Sequence, residues 1–257
     1  MPLDHSDPAP AEDAERVAGL RAMAARLNAE LRHHGAVDVL RAAVREIPDL
    51  ALVSSFGAES VALLHLASMV KKDLPVIFID TEMLFAETLV YQQDLSERLG
   101  LRDVRIIRAE DIAEKDPDGT LHQRDTDACC FLRKTVPLNH ALEAFGGWIT
   151  GRKRFQSGSR AQLDFFEVET PADAPARLKV NPLAFWEAWD VADYITENRL
   201  PRHPLVAKGY PSIGCAPCTT PVAEGEDPRA GRWRETDKDE CGIHFVDGKL
   251  VRTGAST

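Results

Sequence analysis

The sequence predicts an α/β protein built on a doubly wound, mostly parallel sheet, and three observations carry that prediction. Short apolar runs alternate with amphipathic segments of helical length, which is the order of strand–helix–strand crossovers. The runs Leu50–Val53 and Pro75–Ile79 both empty into small or polar residues, Ser54–Ser60 and Asp80-Thr81. Those loops fall at the carboxyl ends of their strands, the edge where such sheets bind ligands.

In chain order, residues 1–14 are polar and rich in Pro and Ala, as in a frayed terminus. From Ala14 to Ile47, apolar residues recur at steps of three and four, giving two amphipathic helices broken near Gly35. The first strand, Leu50–Ser54, turns through Ser55-Phe56-Gly57-Ala58-Glu59-Ser60 into an apolar helix, Val61–Met69. A strand, a small-residue turn and a helix N-terminus together make a phosphate cradle, although Walker's Gly-Lys-Ser/Thr is missing. The second strand, Pro75–Ile79, leads through Asp80-Thr81 and Leu84-Phe85 into a helix, Ala86–Leu99; a third strand, Val104–Ile107, follows Gly100. Beyond Asp116-Pro117-Asp118-Gly119, a helix is expected from Cys129 towards Phe145, then a strand at Trp148–Thr150. Residues 161–182 read as a hairpin excursion with short strands near Phe165–Val168 and Leu178–Val180. A helix over Trp186–Leu200 is closed by Pro201. The expected organisation is N-terminal helices over 1–47, the α/β domain over 48–222 and a mobile tail over 223–257, all in one structural domain.

Composition bounds the function. No apolar run approaches the roughly 18 residues of a membrane span, and the acidic N-terminus lacks the basic-then-apolar order of a signal peptide, so a cytoplasmic protein is expected. A net charge of −10 argues against general nucleic-acid binding. Basic residues are nevertheless bunched, at Arg152-Lys153-Arg154 with Arg160 and at Arg229, Arg232 and Arg234, which suits small anionic ligands.

Five cysteines divide into two pairs and one single residue. In a reducing compartment, paired cysteines point to metal, cluster or redox roles rather than structural disulfides. The adjacent Cys129-Cys130 pair suits a compact tetrahedral zinc site poorly, because zinc ligand pairs are spaced by two or more residues. The separated iron corners of a cubane accept adjacent thiolates, so with Cys215-x-x-Cys218 the spacing favours a [4Fe-4S] cluster over zinc. Two pairs of buried free thiols remain the alternative. On a helix, Cys130 and Lys134 would share a face four residues apart, placing a cation beside the negative cluster. The fifth, Cys241, lies in a polar segment near the C-terminus and has little packing to do, which makes it a candidate nucleophile.

Cys129-Cys130, Cys215-x-x-Cys218 and Glu240-Cys241-Gly242-Ile243-His244 together resemble the assimilatory adenylyl-sulfate (APS) reductases. That family also includes the cluster-free phosphoadenylyl-sulfate (PAPS) reductases. The resemblance runs from about residue 50 to His244. It implies an adenine-nucleotide α-hydrolase-like fold, one [4Fe-4S] cluster on the two cysteine pairs, and thioredoxin or glutaredoxin as reductant. It likens Ser54, Ser55 and Gly57 to the family's modified PP-loop, and Asp80, Leu84 and Phe85 to its adenosine-binding loop. Where the family often has a serine before that glycine, this chain has Phe56. Lys134, Arg160, Arg229 and Arg232 match residues that contact the phosphosulfate, and His244 matches the tail histidine. Implied chemistry is attack by Cys241 on the sulfate sulfur, departure of AMP, and release of sulfite from the S-sulfonate by thioredoxin, in sulfate assimilation towards cysteine. Asp239 and Glu240 disfavour a Cys241 thiolate in open solvent, so closure of the tail over the cationic site is expected to activate it. PAPS or dual specificity, a PP-loop ATP pyrophosphatase and a non-enzymatic iron–sulfur regulator are the alternatives. Oligomeric state is not legible in the sequence, and a homo-oligomer is allowed.

Overall fold

A computed structural model describes residues 10–156, 158–171 and 174–234. Its centre is a six-stranded sheet of β1 (Leu50–Val53), β2 (Val76–Ile79), β3 (Val104–Ile107), β4 (Gly147–Ile149), β5 (Phe166–Glu169) and β6 (Arg177–Val180), in the order β3-β2-β1-β4-β6-β5. All neighbours are parallel except β5 and β6, which form an antiparallel edge hairpin. This is the mostly parallel sheet the alternation predicts.

Side-chain alternation along the strands assigns the two faces. Leu50, Leu52, Val76, Phe78, Ile149, Leu178 and Val180 join the larger core. That core is covered by α1 (Pro10–Leu31), α2 (Ala36–Glu46), α3 (Ser60–Val70), α4 (Ala86–Leu99) and α9 (Ala188–Glu197). Ala51, Ile77 and Trp148 point the other way, onto Leu138 and Leu142 of α8 (Val136–Leu142). Crossovers β1–α3–β2 and β2–α4–β3 step away from β1, whereas the crossover from β3 returns to its far side at β4. With right-handed connections, that reversal moves α8 to the opposite face and opens a switch point between the ends of β1 and β4.

Three local departures from expectation have physical causes. The helix expected from Cys129 is broken into α7 (Thr126–Cys130), a π-helical turn at Phe131–Thr135, and α8. Pro137 has no N–H to give the fourth carbonyl back, and the Val136 N–H instead reaches back five residues to the Phe131 carbonyl. The loop after β3 holds two single-turn helices, α5 (Ile112–Lys115) and α6 (Leu121–Arg124), too short to leave a periodic signal. Finally, part of the expected mobile tail is fastened in place. Thr219 bridges Arg232, the Thr220 N–H donates to Gly231 O at 2.8 Å, and the Trp233 N–H donates to Cys218 O at 3.1 Å. No helix among the described residues is long and apolar enough to cross a membrane.

Candidate active site

A cavity of about 290 Å³ lies at the switch point. Its floor is the turn after β1, where the sequence places its phosphate cradle. The loop is shaped by its own hydroxyls: Ser54 Oγ accepts from Phe56 N–H at 3.1 Å, and Ser60 Oγ from Gly57 N–H at 3.0 Å. Phe56 holds a left-handed backbone (φ 47°) with its ring fully buried edge-on against Phe78, 5.3 Å away. That conformation costs a non-glycine residue of order 1–2 kcal/mol, which ring burial of this size offsets. Ser54, Ser55 and Gly57 all line the cavity.

Cations come in from three other segments. Lys134 arrives on the π turn, Arg160 on the loop after β4, and Arg229 and Arg232 on the fastened C-terminal segment; all four line the cavity. Arg160 Nη1 donates to Gln156 Oε1, which also accepts from the Lys153 N–H at 3.1 Å. The basic run 152–154 divides. Arg152 is buried and donates to Glu167 at 2.5 Å and Asn181 at 3.0 Å. Lys153 is buried at the cavity wall, donating to Glu59 Oε2 at 2.8 Å and Gly151 O at 3.1 Å. Burial pushes the Lys153 ammonium below the ordinary lysine range, with the Glu59 carboxylate opposing the shift. Arg154 turns away to the Leu163 carbonyl and the face of Phe185, and Arg234 pairs with Glu226, so neither lines the cavity.

The adenosine-loop residues also divide. Leu84 lines the cavity, whereas Asp80 and Phe85 do not. Asp80 accepts from the Glu82 N–H at 2.9 Å and from Arg108 Nε at 2.9 Å, which braces the ends of β2 and β3. Phe85 packs edge-on against Tyr210 at 5.5 Å.

Of the four paired cysteines, Cys215 lines this chamber. Cys129 and Cys130 are buried at the end of α7, while Cys215 precedes and Cys218 ends a 3₁₀ turn, Ala216–Cys218. The loop after β2 ties the pairs together. Cys215 bridges Leu84, the Ala216 N–H donates to Met83 O at 2.7 Å, and Thr81 Oγ1 lies 3.2 Å from Cys215 Sγ. From the other side, buried Arg133 donates to Thr81 O at 2.9 Å and to Asp116 Oδ2 at 2.8 Å. Burial pushes the Cys129 thiol up; Arg133 pulls it down, Cys215 and Cys218 add to the rise, and Lys134 opposes it. No three His, Cys, Asp or Glu residues among the described residues converge as ligands of a single metal ion. Cys241 and His244 lie outside the described residues.

Sequence reasoning placed Lys153 in an anion-binding basic cluster and Glu59 in the loop after β1, but did not single out Phe155, Gln156 or Leu183 as cavity residues. The Glu59–Lys153 pair spans 94 positions, so no local pattern could announce it.

Comparison with known proteins agrees with this geometry. Residues 49–221 match the phosphoadenosine phosphosulfate reductase domain. An adenosine 5′-phosphosulfate reductase of Mesorhizobium japonicum is 45% identical, covering 99% of this chain and 97% of its own length. The Mycobacterium tuberculosis protein of the same name is 37% identical, covering 88% and 94%. A phosphate complex of phosphoadenylyl-sulfate reductase from Candida auris superposes with a TM-score of 0.66 at 30% identity, over 77% of this chain and 96% of that one. Candida glabrata FMN adenylyltransferase, at 14% identity and TM-score 0.54 over 82% and 77%, shares the fold. By the extent of these matches, the chain belongs to the phosphoadenosine phosphosulfate reductase family and is an enzyme of it.

Proposed function

We propose that this enzyme reduces adenylyl sulfate to sulfite and AMP, with Cys241 as nucleophile and thioredoxin or glutaredoxin as reductant. The observation that carries the reading is the shared cavity: the small-residue loop after β1 meets Lys134, Arg160, Arg229 and Arg232 beside the Cys215 loop. An adenine nucleotide whose phosphate ends in a sulfate needs that combination of backbone donors and cations. The names of the close relatives, adenosine 5′-phosphosulfate reductases, support the substrate.

In the first step the Cys241 thiolate attacks the sulfate sulfur. A sulfur–sulfur bond forms, the bond from sulfur to the bridging phosphate oxygen breaks, and AMP departs with that electron pair. The cavity cations spread the charge that builds on the leaving phosphate. In the second step a thiolate of the reductant attacks Cys241 Sγ and releases sulfite. The partner thiol then resolves the mixed disulfide, so the reductant's dithiol supplies both electrons and Cys241 returns to a thiol.

Four free cysteines suit a [4Fe-4S] cluster held by Cys129, Cys130, Cys215 and Cys218: Cys129 senses the charge of Cys215 and Cys218, and Arg133 and Lys134 stand near it as counter-charges. When bound, the cluster supplies a compact negative charge, which Lys134 offsets at the edge of the anion site. A second reading, acceptance of the 3′-phosphorylated substrate, is favoured by the likeness to the Candida auris PAPS reductase. Sulfite release measured with both nucleotides decides between them.

The test is anaerobic incubation with adenylyl sulfate and no reductant, followed by peptide mass mapping. One sulfonate on Cys241, absent in Cys241→Ser, is the expected result. Turnover by the Cys241→Ser variant would sink the mechanism.

A further inference from the structure

Arg232 is held in an unusual manner. Its guanidinium lies against the Trp233 ring, 4.3 Å from the centroid, and its opposite surface lies on the backbone of Gly214. A Cβ added at Gly214 would stand 2.5 Å from Cζ and 2.9 Å from Nη1 of Arg232, and closer still to Nη2. Real Cβ atoms do not approach that closely, so the slot exists only because residue 214 has no side chain. Trp233 adopts a left-handed backbone (φ 51°), fixed by its N–H bond to Cys218 O, and this turns its indole back over its own neighbour.

All guanidinium N–H donors lie in the plane of the group, so contacts through its two faces use none of them. Arg232 Nε is buried and has no hydrogen-bond partner among the described residues, and the side chain lines the cavity. A cation clamped by its faces has its direction set before any ligand arrives, while its donors stay available.

We propose that Gly214 is a positioning residue for Arg232: with Trp233 it forms a flat slot that presents the N–H edge of Arg232 to the anionic end of the bound nucleotide. The inference rests on the nucleotide-sulfate reading of the cavity and deepens it. Gly214 also directly precedes Cys215, so one peptide segment sets both a cysteine of the chamber wall and the seat of a substrate-binding arginine. In Gly214→Ala the atoms that must yield are the tip of a flexible side chain. The fold therefore survives while the arginine is displaced.

Calorimetric binding of ADP, whose β-phosphate stands where the sulfate would, and of adenosine tests this without turnover. Gly214→Ala should weaken ADP on the order of tenfold, the loss of a charge-assisted contact, and leave adenosine within about twofold. In an Arg232→Ala background the same substitution should change ADP binding by less than about twofold, because Gly214 acts through Arg232. Trp233→Leu removes the opposite wall and should give the same split, which keeps the test usable if Gly214→Ala fails to fold. Equal loss of both ligands, or an undiminished Gly214→Ala effect in the Arg232→Ala background, overturns the slot. If the native protein binds ADP and neither variant alters it, the slot alone fails. If the native protein does not bind ADP, the nucleotide reading falls and the slot with it.

Discussion

Glu59 carries an electrostatic burden that Glu59→Gln would expose. Its carboxylate lies 2.8 Å from Lys153 Nζ, and the lysine side chain is only 3% exposed whereas that of Glu59 is 36% exposed. At an effective dielectric of about 20, unit charges at 2.8 Å attract by about 6 kcal/mol. Desolvation of the ammonium and solvent screening of the glutamate return most of that, leaving a net coupling of about 2 kcal/mol. Urea unfolding followed by tryptophan fluorescence, on the native protein, Glu59→Gln, Lys153→Met and the double variant, isolates the term as a cycle. Burial already lowers the Lys153 pKa, and loss of Glu59 lowers it further. The penalty of Glu59→Gln should therefore be greatest near neutral pH. It should shrink as pH rises from the further-lowered Lys153 pKa of the variant to that of the native protein, both below the ordinary lysine value, because the unfolded lysine titrates alike in the two chains. Over the same rise, nucleotide affinity of Glu59→Gln should fall more steeply than that of the native protein. A cycle coupling below about 0.5 kcal/mol, or a penalty independent of pH, would refute the reasoning.

Two further predictions concern the frame around the site. His203 is buried, its Nδ1 accepts from the Leu205 N–H at 3.2 Å, and burial lowers its pKa from 6.5 to about 4. The folded ring stays neutral where the unfolded chain binds a proton, so stability should fall by up to about 3 kcal/mol from pH 6.5 to 4 and then level off. His203→Asn should flatten that slope in urea titrations. Glu169 accepts from Arg177 at 2.7 Å, Lys179 at 3.1 Å and Trp148 Nε1 at 2.8 Å, all buried. Glu169→Ala strands two buried cations and should cost at least about 3 kcal/mol, read as a melting-temperature drop on the order of 10 °C. Adding Arg177→Met and Lys179→Met should restore most of it.

The alternation of apolar runs with helical periods was enough to identify the parallel sheet, because strand burial and crossover helices are local in sequence. The two cysteine pairs, the loop after β1 and four cavity cations were also legible, since residue type and spacing announce their chemistry. Pairings between distant residues were not. Arg152-Lys153-Arg154 reads as one basic patch, yet each residue found a different partner across the fold: Glu167, Glu59 and the Leu163 carbonyl. Asp80 reads as a ligand residue, and its bond to Arg108, 28 residues away, emerges only in the fold. Strand order likewise required tertiary contacts, since the β5–β6 hairpin sets the later strand, β6, beside β4. Gly214 shows the distinction most plainly. The sequence displays a glycine before a cysteine; that its missing side chain seats an arginine 18 positions on depends on distances that only folding creates.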